Sequence, residues 1–229
     1  MNFNITKTDS SEKIINTLQE HGLAVCPVFL EDVENIKLEC EKIIDNIEED
    51  EYLFGKAAKI GSAFDNTESN PSIANFFSQN WMFEIFQKYT SKSPNFNEIF
   101  ITHEFKNNNG VNRNGVLHFD KISTFKYMLY LTDVEEGCGA LSVIPGSHLD
   151  GLYLRNQHAF HKRLPEDYYA NFIFENYPEL GYTEEDVVPI YGPAGTLIIF
   201  DTDLFHRGGL VADGKERLII RSHIRGING

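Results

Sequence analysis

The chain has 229 residues, 41% of them hydrophobic and 13% aromatic, enough for one domain with a sizeable core. A formal net charge of −14 argues against nucleic acid and anionic membrane as partners, and leaves a small-molecule substrate open because a pocket can be locally basic. The N-terminus lacks the basic-then-apolar pattern of a secretion signal and no apolar run nears the ~18 residues of a membrane span; three scattered cysteines (Cys26, Cys40, Cys138) form neither a disulfide framework nor a zinc motif, so the expected compartment is the cytoplasm.

The first ninety-seven residues read mainly as a helical layer. Ser10 or Ser11 can cap a helix running through Gln19 and stopped by Gly22. Leu23 to Val28 is a short apolar strand. A second helix is expected over Asp32 to Ile47, with Val33, Ile36, Ile43, Ile44 and Ile47 on its apolar face, and a third over Pro71 to Tyr89, with Pro in its first turn. From residue 98 the texture changes to short β-like runs: Glu98 to Phe105, Phe125 to Thr132, Ala140 to Ile144, Asp186 to Tyr191, Thr196 to Phe200 and Arg217 to Ile224. Gly- and Pro-bearing turns separate them. An Asn-rich loop covers Lys106 to Gly115, and an insertion, residues 149–182, interrupts the strands, with Leu164 to Asn176 as a helix inside it. The expected fold is a double-stranded β-helix (a cupin-like jelly roll, mainly β with α) over residues 98–229, carrying the helical layer on one side and forming a single domain over 1–229.

Within the β region, His118-Phe119-Asp120 places a histidine and a carboxylate on one face of an extended segment, because strand side chains alternate. His206 lies eighty-eight residues on, just after the run ending at Phe200. Two histidines and one carboxylate on one side of a metal leave its other positions open, the ligand set of non-heme Fe(II) oxygenases. Taken alone, His-x-Asp is also the pattern of a solvated histidine beside a turn aspartate, and His206 that of a core or loop histidine. His103, His158, His161 and His223 have no ligand-like spacing.

The company of these residues sharpens the reading. The run Gly-Ala-Leu-Ser-Val-Ile-Pro-Gly-Ser-His over residues 139–148, with His-x-Asp shortly upstream, resembles a signature of the phytanoyl-CoA dioxygenase family. So do the strand over Gly195 to Asp201 leading to His206, the arginine eleven residues after it (Arg217), and the opening Leu18 to Val25 followed by Phe29-Leu30. The resemblance covers most of the chain and is weakest over Asn46 to Pro94 and the insertion. It implies an Fe(II)- and 2-oxoglutarate-dependent dioxygenase that consumes O2, with His118, Asp120 and His206 as metal ligands and catalytic centre. Arg217 then suits the far carboxylate of 2-oxoglutarate, since a guanidinium grips a carboxylate bidentately. Arg221 and Arg225 share its strand face but are not the position the resemblance picks out.

Phe125, Tyr127, Leu129 and Leu131 read as packing under helices, which turns Lys126, Met128 and Tyr130 toward the cavity as candidate 2-oxoglutarate contacts, with Thr102 joining them from the family pattern; ordinary core and rim is an equal reading of all four. Ser147 and His148 read as structural, with His148 near the active-site mouth. Halogenating relatives lack the carboxylate ligand, so the presence of Asp120 argues against chlorination; the resemblance then implies hydroxylation of an unactivated C–H bond in a small or medium-sized metabolite, with release of succinate and CO2, and leaves desaturation or ring formation open. Tyr153, Arg155, His158, His161 and Arg163 form a locally basic, aromatic stretch, the pattern of a solvated loop and also one that suits an anionic substrate. Two other readings stay open: a cupin-like metal enzyme that does not use 2-oxoglutarate and has no need of Arg217, and a non-catalytic binding or sensor protein of the same fold.

Overall fold

The computed structural model of the protein describes residues 2–49, 55–105, 115–161 and 169–227. Helix α1 (Ser11–His21) starts at Ser10, whose side chain accepts from the Lys13 N–H, and stops at Gly22, which takes the left-handed conformation (φ 74°) that a side chain would strain. The chain turns there directly into β1 (Leu23–Cys26). Helix α2 (Glu34–Ile44) is shorter than its apolar pattern suggested, and β2 (Gly55–Ser62) follows. The third expected helix is two, α3 (Pro71–Phe77) and α4 (Asn80–Thr90), broken at the polar residues Ser78 and Gln79. The buried Asn97 side chain donates to the Phe77 carbonyl at 2.9 Å and so satisfies the end of α3.

The remaining strands are β3 (Ser93–Glu104), β4 (Phe125–Tyr130), β5 (Leu141–Val143), β6 (Val188–Pro189), β7 (Leu197–Asp201), β8 (His206–Gly208) and β9 (Arg217–Ile227). They form two antiparallel sheets, one of six strands in the order β1-β7-β4-β9-β3-β2 and one of three in the order β6-β5-β8. The N-terminal layer is therefore not only helical: β1 and β2 supply both edges of the large sheet. The sequence hid β2 because Gly-Lys-Ala-Ala-Lys-Ile-Gly-Ser carries few strand-forming side chains; among the described residues it is an edge strand paired with β3 alone.

Alternation decides what each sheet face does. Phe125, Tyr127, Leu129, Leu197, Ile199 and Ile220 point outward under α1 to α4, in a core that includes Leu18, Phe77, Met82 and Phe86. Met128, Ile198, Phe200 and Ile219 point inward against Leu141 and Val143 of the small sheet. A third cluster, with Phe119, Ile144, Leu154, Ile173 and Phe205, lies under the insertion.

The insertion holds a helix the sequence did not predict there, α5 (His148–His161), and a short α6 (Ile173–Asn176). Of the helix expected over Leu164 to Asn176, residues 164–168 lie outside the described residues and only Ile173–Asn176 is helical. The Asn-rich loop likewise lies outside them except for Gly115.

Candidate metal centre

His118 belongs to no long strand. It pairs with β8 through two reciprocal bonds, His118 N–H to His206 O (3.0 Å) and His206 N–H to His118 O (2.7 Å). Residues paired this way present their side chains on the same face, and the two imidazole centroids are 4.5 Å apart. Each histidine is set by its neighbours: Leu117, Phe119 and Phe205 are buried in the cluster under the insertion, which turns His118 and His206 the other way. The Asp120 N–H donates to Thr202 O at 2.9 Å, tying the carboxylate to the turn before His206. The ligand atoms of His118, Asp120 and His206 all lie within 4.8 Å of one another, an arrangement that could hold a metal ion.

The hydrogen bonds around this group suit a metal. Nδ1 of His118 lies 2.7 Å from Val116 O, and Nδ1 of His206 lies 2.7 Å from Leu204 O. A carbonyl only accepts, so both Nδ1 atoms carry the proton and both Nε2 lone pairs are free. Those Nε2 atoms stand 3.8 and 3.5 Å from Asp120 Oδ1. The other carboxylate oxygen, Oδ2, is held by Lys126 Nζ at 2.6 Å. Burial, seconded by the neighbouring His206, lowers the His118 pKa to about 4, so its imidazole is neutral at pH 7. Burial works against ionised Asp120, but Lys126 and His206 outweigh it and hold the carboxyl well below the usual carboxylate range. Two imidazoles with Nε2 turned to one point and one carboxylate are the donor set of a divalent metal with open positions, and they fit Fe(II).

The group stands at one side of a cavity of about 270 Å³ between the sheets. Lys126, Met128 and Arg217 line it, as alternation predicts. Arg217 is buried in an ion pair with Glu104, which faces it across the β3–β9 register and is only 1% exposed. Its Nε, also buried, has no hydrogen-bond partner among the described residues.

Two expected contacts sit differently. Tyr130 does not line the cavity; it is fully buried beneath it, with its hydroxyl donated to Ile190 O at 2.9 Å. Thr102 accepts a hydrogen bond from Arg221 at 3.0 Å and so meets the cavity through that guanidinium. Arg221 and His223 line the cavity although the sequence reading set both aside. The signal was available, because both follow Arg217 at even spacing on one strand.

The other expectations are corrected by packing. Arg155 is committed to Asp203 and to the Lys121 carbonyl and lies over the Phe119 ring. His158 Nε2 is 2.7 Å from the Tyr177 hydroxyl; the side chain of His161 and all of Arg163, the rest of the expected basic patch, lie outside the described residues. His148 opens α5 with its ring packed against Gly22, at the end of α1. Ser147 is structural as expected, its hydroxyl linking Ile144 O to the Phe205 N–H.

Two packed antiparallel sheets with two histidines and a carboxylate beside the space between them are the architecture of the cupin-like, non-heme Fe(II) oxygenases. The sequence model of that class named phytanoyl-CoA dioxygenase (PhyH) matches residues 11–217, and the chain belongs to this family. It is accordingly a 2-oxoglutarate-dependent oxygenase whose cofactors are Fe(II), 2-oxoglutarate and O2.

Solved structures share the fold at low identity. The non-heme α-ketoglutarate-dependent carbocyclase SnoK from nogalamycin biosynthesis superposes with a TM-score of 0.67 at 15% identity, over 96% of this chain and 86% of its own. The epimerase SnoN, in complex with Fe3+, α-ketoglutarate and nogalamycin RO, gives 0.63 at 15% over 94% and 83%. HygX from Streptomyces hygroscopicus, with nickel and 2-oxoglutarate bound, gives 0.62 at 13% over 95% and 88%. No curated protein matches the sequence.

Proposed function

We propose that His118, Asp120 and His206 bind Fe(II), that Arg217 receives the far carboxylate of 2-oxoglutarate, and that the enzyme hydroxylates an unactivated C–H bond of a small or medium-sized metabolite. The observation that carries this reading is the convergence of two Nε2 lone pairs and a charged carboxylate on one point of a cavity that also contains a guanidinium. The bound metal and co-substrate supply oxygen activation coupled to conversion of 2-oxoglutarate to succinate and CO2. The protein's own part is positional. Lys126 fixes Oδ2 of Asp120 and leaves Oδ1 for the metal, the two backbone carbonyls fix the imidazole tautomers, and Met128 and Phe200 give the cavity apolar walls. Structures similar in fold include a carbocyclase and an epimerase, so the fold also accommodates outcomes other than hydroxylation. The acidic chain and its buried, free cysteines support a cytoplasmic enzyme without nucleic-acid or membrane partners; among the described residues no helix is long and apolar enough to cross a membrane.

Anaerobic titration of the Fe(II)-loaded protein with 2-oxoglutarate tests the reading. A visible charge-transfer band is expected, and Arg217→Ala should weaken 2-oxoglutarate binding by at least about tenfold, the scale of a lost charge-assisted pair. Glu104→Gln is expected to do the opposite, tightening 2-oxoglutarate about tenfold, because Glu104 competes with it for Arg217. Iron binding without any band would favour a cupin-like enzyme that does not use 2-oxoglutarate. Once a substrate is found, gain of one oxygen atom from O2 marks hydroxylation, and an unchanged formula marks epimerisation.

A further inference from the structure

In a chain of net charge −14, the inner face of β9 runs against the balance. Alternation places Arg217, Arg221 and Arg225 on that face with His223 between the last two. Arg217 has Glu104, and Lys126 has Asp120. Arg221 has neither: its Nη1 donates to Thr102 Oγ1 at 3.0 Å, its Nε to His223 Nε2 at 3.1 Å, and its guanidinium lies 5.7 Å from the centre of the Phe100 ring. All three partners are uncharged, and among the described residues no carboxylate lies within ion-pair distance of it. Glu98, on the same inner face of β3, is taken by Lys59. An arginine has five N–H groups. Two are used here, and the rest belong to a side chain that lines the cavity.

Charge bookkeeping over the described residues points the same way. Lys126, Arg217 and Arg221 stand against Asp120 and Glu104, which leaves one positive charge among the described residues. If the proposed function is right, Fe(II) and the 2-oxoglutarate dianion cancel each other, and the excess persists in the loaded site. A half-buried guanidinium without a carboxylate partner is free to take a counter-ion from the cavity, and its planar fork matches a carboxylate or a phosphate. We infer that the substrate of this enzyme carries an anionic oxygen group, a carboxylate or a phosphate ester, that pairs with Arg221 beside the bound 2-oxoglutarate. Thr102, His223 and Phe100 are then positioning residues that keep the guanidinium aimed into the cavity.

The experiment is calorimetric titration of acetate and, separately, inorganic phosphate into protein loaded with Ni(II) and 2-oxoglutarate. One anion is expected to bind per chain, and the tighter of the two probes identifies the group. Arg221→Gln should weaken that binding at least about tenfold while 2-oxoglutarate affinity stays within about threefold; Arg221→Lys, which keeps the charge, should lose less. The inference is overturned if neither anion saturates the wild type, if Arg221→Gln leaves anion binding unchanged, or if Arg221→Gln costs tenfold in 2-oxoglutarate affinity. In that last case Arg221 serves the co-substrate. Should the wild type take up no 2-oxoglutarate, the functional reading fails on its own. The same anion titration of the metal-free protein then decides the Arg221 site: binding lost in Arg221→Gln upholds it, and binding indifferent to the variant overturns it. If Arg221→Gln does not fold, Arg221→Met decides instead: unchanged anion affinity would overturn the inference.

Discussion

At the scale of the residue, the division of labour within Asp120 is the sensitive point. One oxygen faces the two imidazoles and the other is held by Lys126, whose side chain is 9% exposed. Removing the carboxylate would leave a nearly buried ammonium with no partner, which is worse than having neither charge. Asp120→Ala is therefore expected to abolish stoichiometric metal binding and to cost about 3 kcal/mol in the metal-free protein. Adding Lys126→Met should recover most of the stability and none of the metal. Urea denaturation and metal analysis of the two variants check both halves; a double variant no more stable than Asp120→Ala would refute the charge argument. The same residues show what the sequence could disclose. His118, Asp120 and His206 were legible because local alternation and a recognisable neighbourhood fix them. Glu104 was not, because its meeting with Arg217 depends on the β3–β9 register, which nothing local encodes.

At the scale of the element, α5 is the instructive case. Gly151 lies within it, and Leu149, Leu152 and Tyr153 are exposed on its surface, so the sequence shows neither a good helix former nor a clean apolar stripe. The glycine is there for contact. A Cβ at Gly151 would sit 1.9 Å from the Asp203 carbonyl oxygen, backbone that cannot swing aside. Arg155, one turn on, pairs with Asp203, and Ser147 holds the Phe205 N–H. Helix α5 thus braces the turn that delivers His206. Gly151→Ala, favourable in an ordinary helix, is expected here to destabilise by about 2–3 kcal/mol and to weaken metal binding about tenfold. Thermal unfolding and Ni(II) titration measure the two effects, and a neutral or stabilised variant would show that α5 docks loosely.

At the scale of the whole molecule, stability on acidification is a contest between groups. The His118 pKa lies near 4, below the ordinary histidine value, chiefly through burial. The unfolded chain therefore binds more protons below about pH 6.5, and this contribution to stability is lost as pH falls toward 4. Burial lowers the His148 pKa as well, with the same sign. Asp201 runs the other way. Burial and the neighbouring Asp203 raise it to about 6, with its Oδ2 accepting from the Tyr89 hydroxyl at 3.1 Å. Its contribution is present at low pH and lost as pH rises through 6. Asp201→Asn, which keeps the acceptor, is expected to be more stable than wild type by up to about 3 kcal/mol at pH 7, with the advantage gone near pH 4. Denaturation at pH 4, 5 and 7 tests this, and an advantage independent of pH would refute it. The two-sheet architecture was readable because inward and outward positions alternate cleanly on β4, β7 and β9. The insertion was not, because its folding rests on contacts with Asp203, Phe119 and Tyr177 that lie elsewhere in the chain or across its own turns.

The insertion also touches the proposed metal ligands directly. Phe119 N–H bonds to Ala170 O at 3.0 Å, and Asn171 bridges His118 on the side opposite His206. A protein engineer wishing to alter what this scaffold accepts would begin by grafting a foreign segment in place of residues 149–182. That graft would also replace the neighbouring rung of the ladder on which His118 hangs. Metal retention is thus expected to depend on this segment too, and a transplanted one must carry its own Ala170-like and Asn171-like backbone pairing if the recipient is to bind a metal.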